Sequence, residues 1–208
     1  MLHRYDTIAR KTAHGDRASV VEHLDRVLPS LWQTDYLAMP GSTRNLVTVT
    51  FGAGSCTSHF CRYLFDHASD PARVGNASTD RASHGTDDRV AAVWGTSRRQ
   101  EASSRDTARM KGFLKGGLTD RPGYDRGHLF AHTMGGGLDI NLFPQAARVN
   151  RGGLWRHMER YCARNPGTFC FIRPIYTDES WRPSRLEYGI FKLEDGRPPE
   201  FWEHVFEN

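Results

Sequence analysis

Residues 124–159 hold the side chains of this chain that are best suited to chemistry. The stretch contains a histidine in a tight Asp-Arg-Gly-His turn, a glycine-rich loop, two asparagines, and a tryptophan and a glutamate at helical spacing. These residue types can supply a general base, an oxygen ligand for a metal ion and a clamp for phosphate. The pattern therefore indicates an active site that acts on phosphodiester bonds.

Cleavage of a phosphodiester requires a nucleophilic water, neutralisation of charge in the transition state and protonation of the departing oxygen. A histidine is the natural general base, because its unperturbed pKa of about 6.5 leaves it mostly neutral near pH 7. One divalent cation held by few protein ligands can perform the other two tasks. Asparagine suits such a site, since it is a hard oxygen ligand that adds no negative charge beside a polyanion.

The positive charge of the chain is concentrated just before and within this stretch. The 208 residues carry a net charge of +4, and the segment from Arg98 to Arg126 holds eight basic residues against four acidic ones. The net charge of that segment, 8 − 4 = +4, therefore equals the net charge of the whole chain. It would attract a polyanion, because phosphate attraction supplies most non-specific affinity for nucleic acids. On charge alone, a solvated charge-rich loop is an equally good interpretation.

The composition is that of a soluble globular protein, with 38% hydrophobic and 25% charged residues. A chain of this length can hold one domain, or a small domain with an elaborate arm. It has no apolar run of about eighteen residues, so we expect no membrane partner. Residues 1–17 lack the apolar centre of a secretory signal. We therefore expect the protein to be cytoplasmic in the producing cell or exported by a specialised secretion system.

The four cysteines do not form a recognisable zinc or disulfide pattern. Cys56 and Cys61 are spaced C-x4-C, and Cys162 and Cys170 are spaced C-x7-C. Neither spacing matches the C-x2-C knuckles of structural zinc sites, and four cysteines are too few for a disulfide scaffold of this size. Free or structural thiols are expected.

The apolar periodicity predicts one long helix and several strands. A helix is expected over residues 17–28, with Asp16 as its N-cap and Pro29 as its end. Residues 58–68 suggest a short helix, and residues 200–208 suggest an edge element or a short helix. Strands are expected over residues 46–51, 89–94, 168–176 and 185–193.

Two segments outside the 124–159 stretch bear on the organisation of the chain. The glycine turn at 52–54 follows a predicted strand, but no G-K-[ST] comes after it and Ser55 lacks a G-x-S-x-G frame, so a structural turn is expected. Residues 69–88 are almost devoid of large apolar side chains and predict a long loop or linker. This segment is the expected boundary between an N-terminal arm and the catalytic unit.

The sequence from about Arg105 to Glu159 resembles the DNA/RNA non-specific endonucleases of the ββα-metal (His-Me finger) superfamily. The motifs that carry the resemblance are RDTARMKGFLKGGLTDRPGYDRGHL, GGGLDINLFPQ and VNRGGLW-x-x-ME, in that order. The G-H-L-F-A-H core before a glycine-rich loop is similar to the toxin-module branch of the family. The resemblance implies an α+β fold, in which a ββα-metal nuclease core over residues 89–208 lies on a mainly antiparallel sheet. Residues 1–88 would be an α/β arm of unknown role.

The resemblance also implies the roles of three residues and the cofactor. His128 would be the general base, at the end of the second strand of a hairpin. Asn150 would be the direct ligand of Mg²⁺, for which Mn²⁺ could substitute. Glu159 would hold a metal-bound water without touching the ion. His132 lies four residues after His128, but no third nitrogen or thiolate ligand accompanies the pair, so zinc is not expected there.

Further residues of the motifs are expected to support the site. Asn141 would fix the loop beneath His128, and Asp125 would orient the turn, with backbone donors as the suggested partners of its carboxylate. Arg126 and Arg105 would clamp the phosphate by bidentate hydrogen bonds. Two more arginines, Arg98 and Arg99, compete with Arg105 for this task, and spacing alone does not choose among the three.

The spacing of Asn150 and Glu159 departs from the family pattern. The two positions usually stand eight residues apart, or about 80° around a helix at about 100° per residue, whereas here they stand nine apart, or about 180°. We expect Gly152 and Gly153 to absorb the extra residue in a helix distorted between 151 and 155, so that Glu159 still faces the site.

The function that follows is a magnesium-dependent endonuclease of DNA, RNA or both, acting as an antibacterial toxin with a cognate immunity protein. Two alternatives remain open. One is a nucleic-acid-binding protein with a degenerate nuclease fold, against which the intact His128, Asn150 and Glu159 argue. The other is a more sequence-specific member of the superfamily, for which no appended recognition module is present in the sequence.

Overall fold

A six-stranded antiparallel sheet forms the centre of the fold. The structure is a computed structural model that describes residues 4–10, 15–40, 42, 46–51, 61–66, 89–105, 107–108, 122–137, 141–178, 180–194 and 196–208. In chain order, its helices and strands are α1 (Arg4–Arg10), α2 (Arg17–Leu37), β1 (Leu46–Phe51), β2 (Cys61–Asp66), β3 (Arg89–Thr96), β4 (Tyr124–His128), β5 (Leu142–Ala146), α3 (Ala147–Asn150), α4 (Gly153–Arg164), β6 (Phe169–Ile175), β7 (Arg185–Lys192) and β8 (Glu200–Glu207).

The order of strands in the sheet is β1-β2-β3-β6-β7-β8, and each neighbouring pair is antiparallel. A separate two-stranded hairpin is made by β4 and β5. Helices and a mainly antiparallel sheet therefore occur together, and the predicted α+β class is confirmed. The predicted turn at 52–54 and linker at 69–88 lie outside the described residues.

Alternate residues of each strand face opposite sides of the sheet, and each side carries its own core. On β6, Phe169 and Phe171 pack in the core that contains α2. Cys170 and Ile172, the residues between and after them, pack in the core that contains α4 and the hairpin. The fold thus has three layers, with α2 on one face of the sheet and the hairpin with α4 on the other.

Helix α2 begins as predicted but continues far beyond Pro29. Asp16 caps it by accepting a hydrogen bond from the backbone nitrogen of Ser19 at 2.8 Å. Pro29 lies inside the helix, so the prediction that it ends there is wrong. The apolar stripe continues through Trp32 and Tyr36, both buried in the core, and their burial outweighs the loss of one backbone hydrogen bond at the proline.

Among the predicted strands, those at 46–51, 89–94, 168–176 and 185–193 are confirmed as β1, β3, β6 and β7. The prediction of a short helix over 58–68 is wrong, because its described part, Cys61–Asp66, is the strand β2. Tertiary context explains the difference: β2 is held between β1 and β3, and this pairing outweighs the local helical preference. The tail forms β8 at the edge of the sheet.

The division of the chain between residues 88 and 89 stays a prediction. Strands β1 and β2 precede it, yet they hydrogen-bond into the same sheet as β3. The thiols of Cys61, Cys162 and Cys170 are free and buried, as expected, whereas Cys56 lies outside the described residues.

The hairpin β4–β5 positions the candidate histidine. His128 pairs with Leu142 at the end of β4, the first strand of the hairpin, so its predicted place on a second strand is wrong. The strand that follows β4 in the chain is β5, which returns antiparallel and leads directly into α3. Gly127 allows this pairing, since a Cβ at that position would overlap the side chain of Gln145 on β5.

Candidate active site

A cleft of about 340 Å³ opens where the hairpin meets α3 and α4. Five of the predicted site residues line it together: Arg105, Arg126, His128, Asn150 and Glu159. Three other predicted residues, Asp125, Asn141 and Arg98, lie outside its lining, as does Arg99. The wall is completed by Ala131, His132, Thr133, Arg151 and Arg156.

His128 enters the cleft as a neutral, buried imidazole. His128 is only 8% exposed, and no group among the described residues forms a hydrogen bond with its buried Nε2. Burial lowers the pKa of His128 to about 3, with smaller contributions from Arg105 and His132. The ring is therefore unprotonated at neutral pH, and its Nε2 is available to a ligand in the cleft.

Asn150 at the end of α3 is oriented by Asp125 on β4. Its Nδ2 donates to Oδ2 of Asp125 at 3.0 Å, and no described residue donates to its Oδ1. The Asp125 carboxylate also accepts hydrogen bonds from Nε and Nη2 of Arg151 at 2.9 and 2.6 Å. The donors to Asp125 are therefore side chains and not the backbone groups that the sequence suggested. Arg151, at the end of α3, reaches across to β4 and supplies two of them. Hydrogen bonds from Arg151, and from Asn150, hold the pKa of Asp125 below its usual value.

The helix that carries Asn150 and Glu159 is interrupted between them, which confirms the predicted distortion. Helix α3 ends at Asn150, and Gly152 is extended with φ −163° and ψ −163°. Gly153 has φ +62°, a left-handed conformation that favours glycine, and α4 begins there. The break takes the form of two separate helices, α3 and α4. Asn150 and Glu159 consequently line the same cleft despite their nine-residue separation.

Glu159 is a buried carboxylate held by donors of its own helix. Nε1 of Trp155 donates to its Oε1 at 2.9 Å, and Nη1 of Arg156 donates to its Oε2 at 2.8 Å. Burial raises the pKa of Glu159, while Arg156 and the two hydrogen bonds oppose that rise. A carboxylate has room for further donors beyond these two, so Glu159 can also accept a hydrogen bond from water in the cleft.

Asn141 ties down the loop that follows His128. Its Oδ1 accepts from the backbone nitrogen of Phe130 at 2.8 Å, and its Nδ2 donates to the carbonyls of Phe130 and Gly137 at 2.7 and 2.8 Å. Gly136 permits the tight packing, because a Cβ there would overlap the carbonyl group of Phe130. Three hydrogen bonds made by one fully buried amide thus hold the loop whose residues Ala131, His132 and Thr133 line the cleft.

The arginines separate into those at the cleft and those away from it. Arg105 and Arg126 line the cleft, whereas Arg99 is highly exposed and lies 3.9 Å from the carboxylate of Glu101. The Nε of Arg105 is buried and has no hydrogen-bond partner among the described residues. Geometry therefore favours Arg105 over Arg98 and Arg99 as a phosphate ligand, a choice that spacing alone left open.

The sequence interpretation did not assign a site role to His132 or Arg156. His132 is buried, and its Nε2 lies 3.0 Å from Oγ of Ser104 and 3.2 Å from Nε2 of Gln100. This ring joins the segment before Arg105 to the loop after His128. Arg156 could have been found, because it stands three residues before Glu159, the spacing of a helical ion pair. His132 closes the G-H-L-F-A-H motif, but its spacing from His128 suggested only a zinc pair, which was not expected.

The donor set of the cleft suits a hydrated divalent cation. No group of three or more His, Cys, Asp or Glu side chains that could hold a metal occurs in the described part of the chain. Mg²⁺ does not need one, since it keeps several waters and uses one or two protein oxygens. The carboxamide oxygen of Asn150, with Glu159 in the same cleft to accept from a coordinated water, fits that requirement.

Comparison with known proteins gives one family. The sequence model of a family described as DNA/RNA non-specific endonuclease matches residues 77–191, more than half of the chain. No curated protein matches the chain. Within the described residues, no helix is both long and apolar enough to cross a membrane. The matched range includes β3, the hairpin, both short helices and most of β7, and thus every residue of the cleft.

Proposed function

Because the chain belongs to the DNA/RNA non-specific endonucleases, we propose that its cleft hydrolyses phosphodiester bonds with His128 as the general base and Mg²⁺ as the cofactor. The observation that carries the proposal is the state of His128. Its imidazole is neutral, its buried Nε2 has no partner among the described residues, and it lines a cleft that also holds Arg105 and Arg126. A base and anion-binding groups are thus adjacent.

His128 would take the proton from an attacking water through Nε2. A pKa of about 3 makes it a weak base, chiefly because the ring is buried and to a lesser extent because Arg105 is near. A bound phosphodiester would bring a negative charge to Arg105 and oppose that effect, so substrate binding would raise the His128 pKa towards neutrality. The base would therefore strengthen when a substrate is present.

Arg105 and Arg126 would bind the non-bridging oxygens of the scissile phosphate and stabilise the charge that grows on them. Arg156 lines the same cleft but is neutralised by Glu159 at 2.8 Å, so it is the weaker candidate. Asn150 would hold Mg²⁺ through Oδ1, with its amide oriented by Asp125. When bound, the ion supplies charge neutralisation at the phosphate and an acidic water for the leaving oxygen. Glu159 would orient water beside Asn150.

Degradation of plasmid DNA and total RNA by the purified protein tests this function. The wild type should degrade one or both in Mg²⁺, a chelator should stop the reaction, and Mn²⁺ should restore it. His128→Ala should lower the rate at least about 100-fold, the usual contribution of a general base. His204→Ala, on the exposed part of β8, is the matched control and should retain the rate.

Two outcomes would contradict the proposal. If His128→Ala retains the rate of the wild type, His128 is not the general base. Binding without cleavage by the wild type would favour a nucleic-acid-binding protein with a degenerate fold.

We also propose that the enzyme acts as an antibacterial toxin that a cognate immunity protein inhibits. Support for this role comes from the similarity of the G-H-L-F-A-H core, residues 127–132, to toxin modules. Expression of the wild type in the bacterial cytoplasm should stop growth and fragment nucleic acid, whereas His128→Ala should be tolerated. Growth at normal rates with soluble, active wild type would refute the toxin role and leave the nuclease function intact.

A further inference from the structure

Three arginines stand at four-residue intervals along α4: Arg156, Arg160 and Arg164. Four residues advance about 400° around an α-helix, so the three side chains form one slowly turning row about 12 Å long. Arg156 lines the active-site cleft. The row therefore starts at the candidate site and leads away from it along the exposed face of α4.

A second cavity of about 400 Å³ lies along this row. Arg160 and Arg164 form one wall, and the segment Arg99–Ala102 forms the other. Thr133 lines both this cavity and the active-site cleft, so the two spaces adjoin. A ligand longer than one phosphodiester could thus pass from the first into the second.

The charge of the second cavity is positive. It contains three arginines and one carboxylate, that of Glu101, which lies 3.9 Å from Arg99. In the described part of the chain, no carboxylate lies within ion-pair distance of Arg160 or Arg164. Arg197 and Lys192, for comparison, are paired with Glu194 at 2.9 Å and with Glu200 at 2.6 Å. Nε of Arg160 donates to the carbonyl of Arg156 at 3.1 Å, but no described carboxylate neutralises the charge of Arg160 or Arg164 beside the cavity.

We propose that Arg160 and Arg164, with Arg99 opposite them, form a track that binds the backbone phosphates next to the scissile one. The proposal rests on the function proposed above, since it extends the substrate of the same site. Successive phosphates of a B-form strand advance by about 3.4 Å, so the rise of about 6 Å from Arg160 to Arg164 corresponds to about two of them. Phosphate contacts of this kind fix the position of a strand without reading its bases, which agrees with a non-specific enzyme.

The test compares two double variants of equal charge change. Arg160→Gln/Arg164→Gln removes the track, and Arg26→Gln/Arg185→Gln removes two exposed arginines that line neither cavity. Both are made in a His128→Ala background, so that binding is measured without cleavage. The probes are single-stranded DNA, duplex DNA and RNA of about 20 nucleotides, at salt concentrations between about 50 and 200 mM.

The track variant should bind at least one probe about 15- to 30-fold more weakly near 150 mM salt, and its log–log salt slope should fall by about 1.4 to 1.8, the loss of two phosphate contacts. The control variant should keep the slope of its parent. An equal loss in both variants, or an unchanged slope in the track variant, would overturn the proposal.

Cleavage separates the track from the proposed function. With His128 intact, the track variant should lose more activity on a long probe than on a dinucleotide, because only the long probe reaches Arg160 and Arg164. An equal loss on both substrates would contradict the track. If the wild type cleaves neither substrate, the proposed function fails, while the salt slope still decides whether the track binds phosphate.

Discussion

Replacing His128 by Asn should change how the stability of the protein depends on pH. The folded protein holds this histidine at a pKa of about 3, chiefly because the ring is buried, whereas the unfolded chain has the ordinary value of 6.5. Between those values the unfolded state binds one more proton than the folded state. The folded state therefore loses stability as pH falls through this window, and His128→Asn removes the group responsible.

The magnitude follows from the two pKa values. At pH 4 the imidazole of the unfolded chain is almost fully protonated, because the pH lies about 2.5 below its pKa, whereas the imidazole of the folded protein is hardly protonated. Protonation therefore stabilises the unfolded state relative to the folded state by about 3 kcal/mol. At pH 7 the same difference is below about 0.2 kcal/mol.

Urea denaturation at pH 7 and pH 4, in chelator and without nucleic acid, measures the effect. Wild type should lose about 3 kcal/mol more than His128→Asn between the two pH values. His204→Asn, at an exposed position of β8, controls for the loss of an imidazole in general. If wild type and His128→Asn lose the same free energy to within about 1 kcal/mol, the ring is not buried as a neutral base, and the argument for its role fails.

Three further substitutions test the fold around the site. Gly127→Ala should lower stability by about 1–3 kcal/mol in thermal melts, because the added Cβ would overlap the buried side chain of Gln145. Gly137→Ala is the control and should be close to neutral, since a Cβ there would meet nothing within 4 Å. Pro29→Ala should raise the free energy of unfolding by up to about 3 kcal/mol in urea, and a decrease would show that the proline is not strained in α2. Tyr36→Phe should cost about 1.5–3 kcal/mol, since the hydroxyl donates at 2.7 Å to the buried carboxylate of Asp66; an unchanged midpoint would mean that this bond contributes nothing.

Local patterns in the sequence were sufficient for much of the fold. The alternation of apolar residues predicted the strands that became β1, β3, β6 and β7, because side-chain direction along a strand depends only on its period of two. The cap of α2 was predictable for a similar reason, since Asp16 bonds a residue three positions away. The glycine pair after Asn150 likewise predicted an interruption of the helix, which depends on backbone freedom at those positions.

Predictions failed where distant partners decide the outcome. Pro29 stays within α2 because Trp32 and Tyr36 are buried against the sheet further along the helix. Residues 61–66 form a strand because β1 and β3 lie on either side. The partners of Asp125 are Asn150 and Arg151, which are 25 and 26 residues away in the chain.

For the site, the sequence by itself determined the chemical inventory: a histidine, an asparagine, a glutamate and several arginines in an order typical of one nuclease family. Only the tertiary structure decided which of these share a cleft, that Arg105 and not Arg99 lines it, and that the ring of His128 is desolvated. It also aligned Arg160 and Arg164 with a second cavity. The physical reason is that motif identity resides in residue type and spacing, whereas burial, charge proximity and pKa depend on groups that the fold brings together from distant parts of the chain.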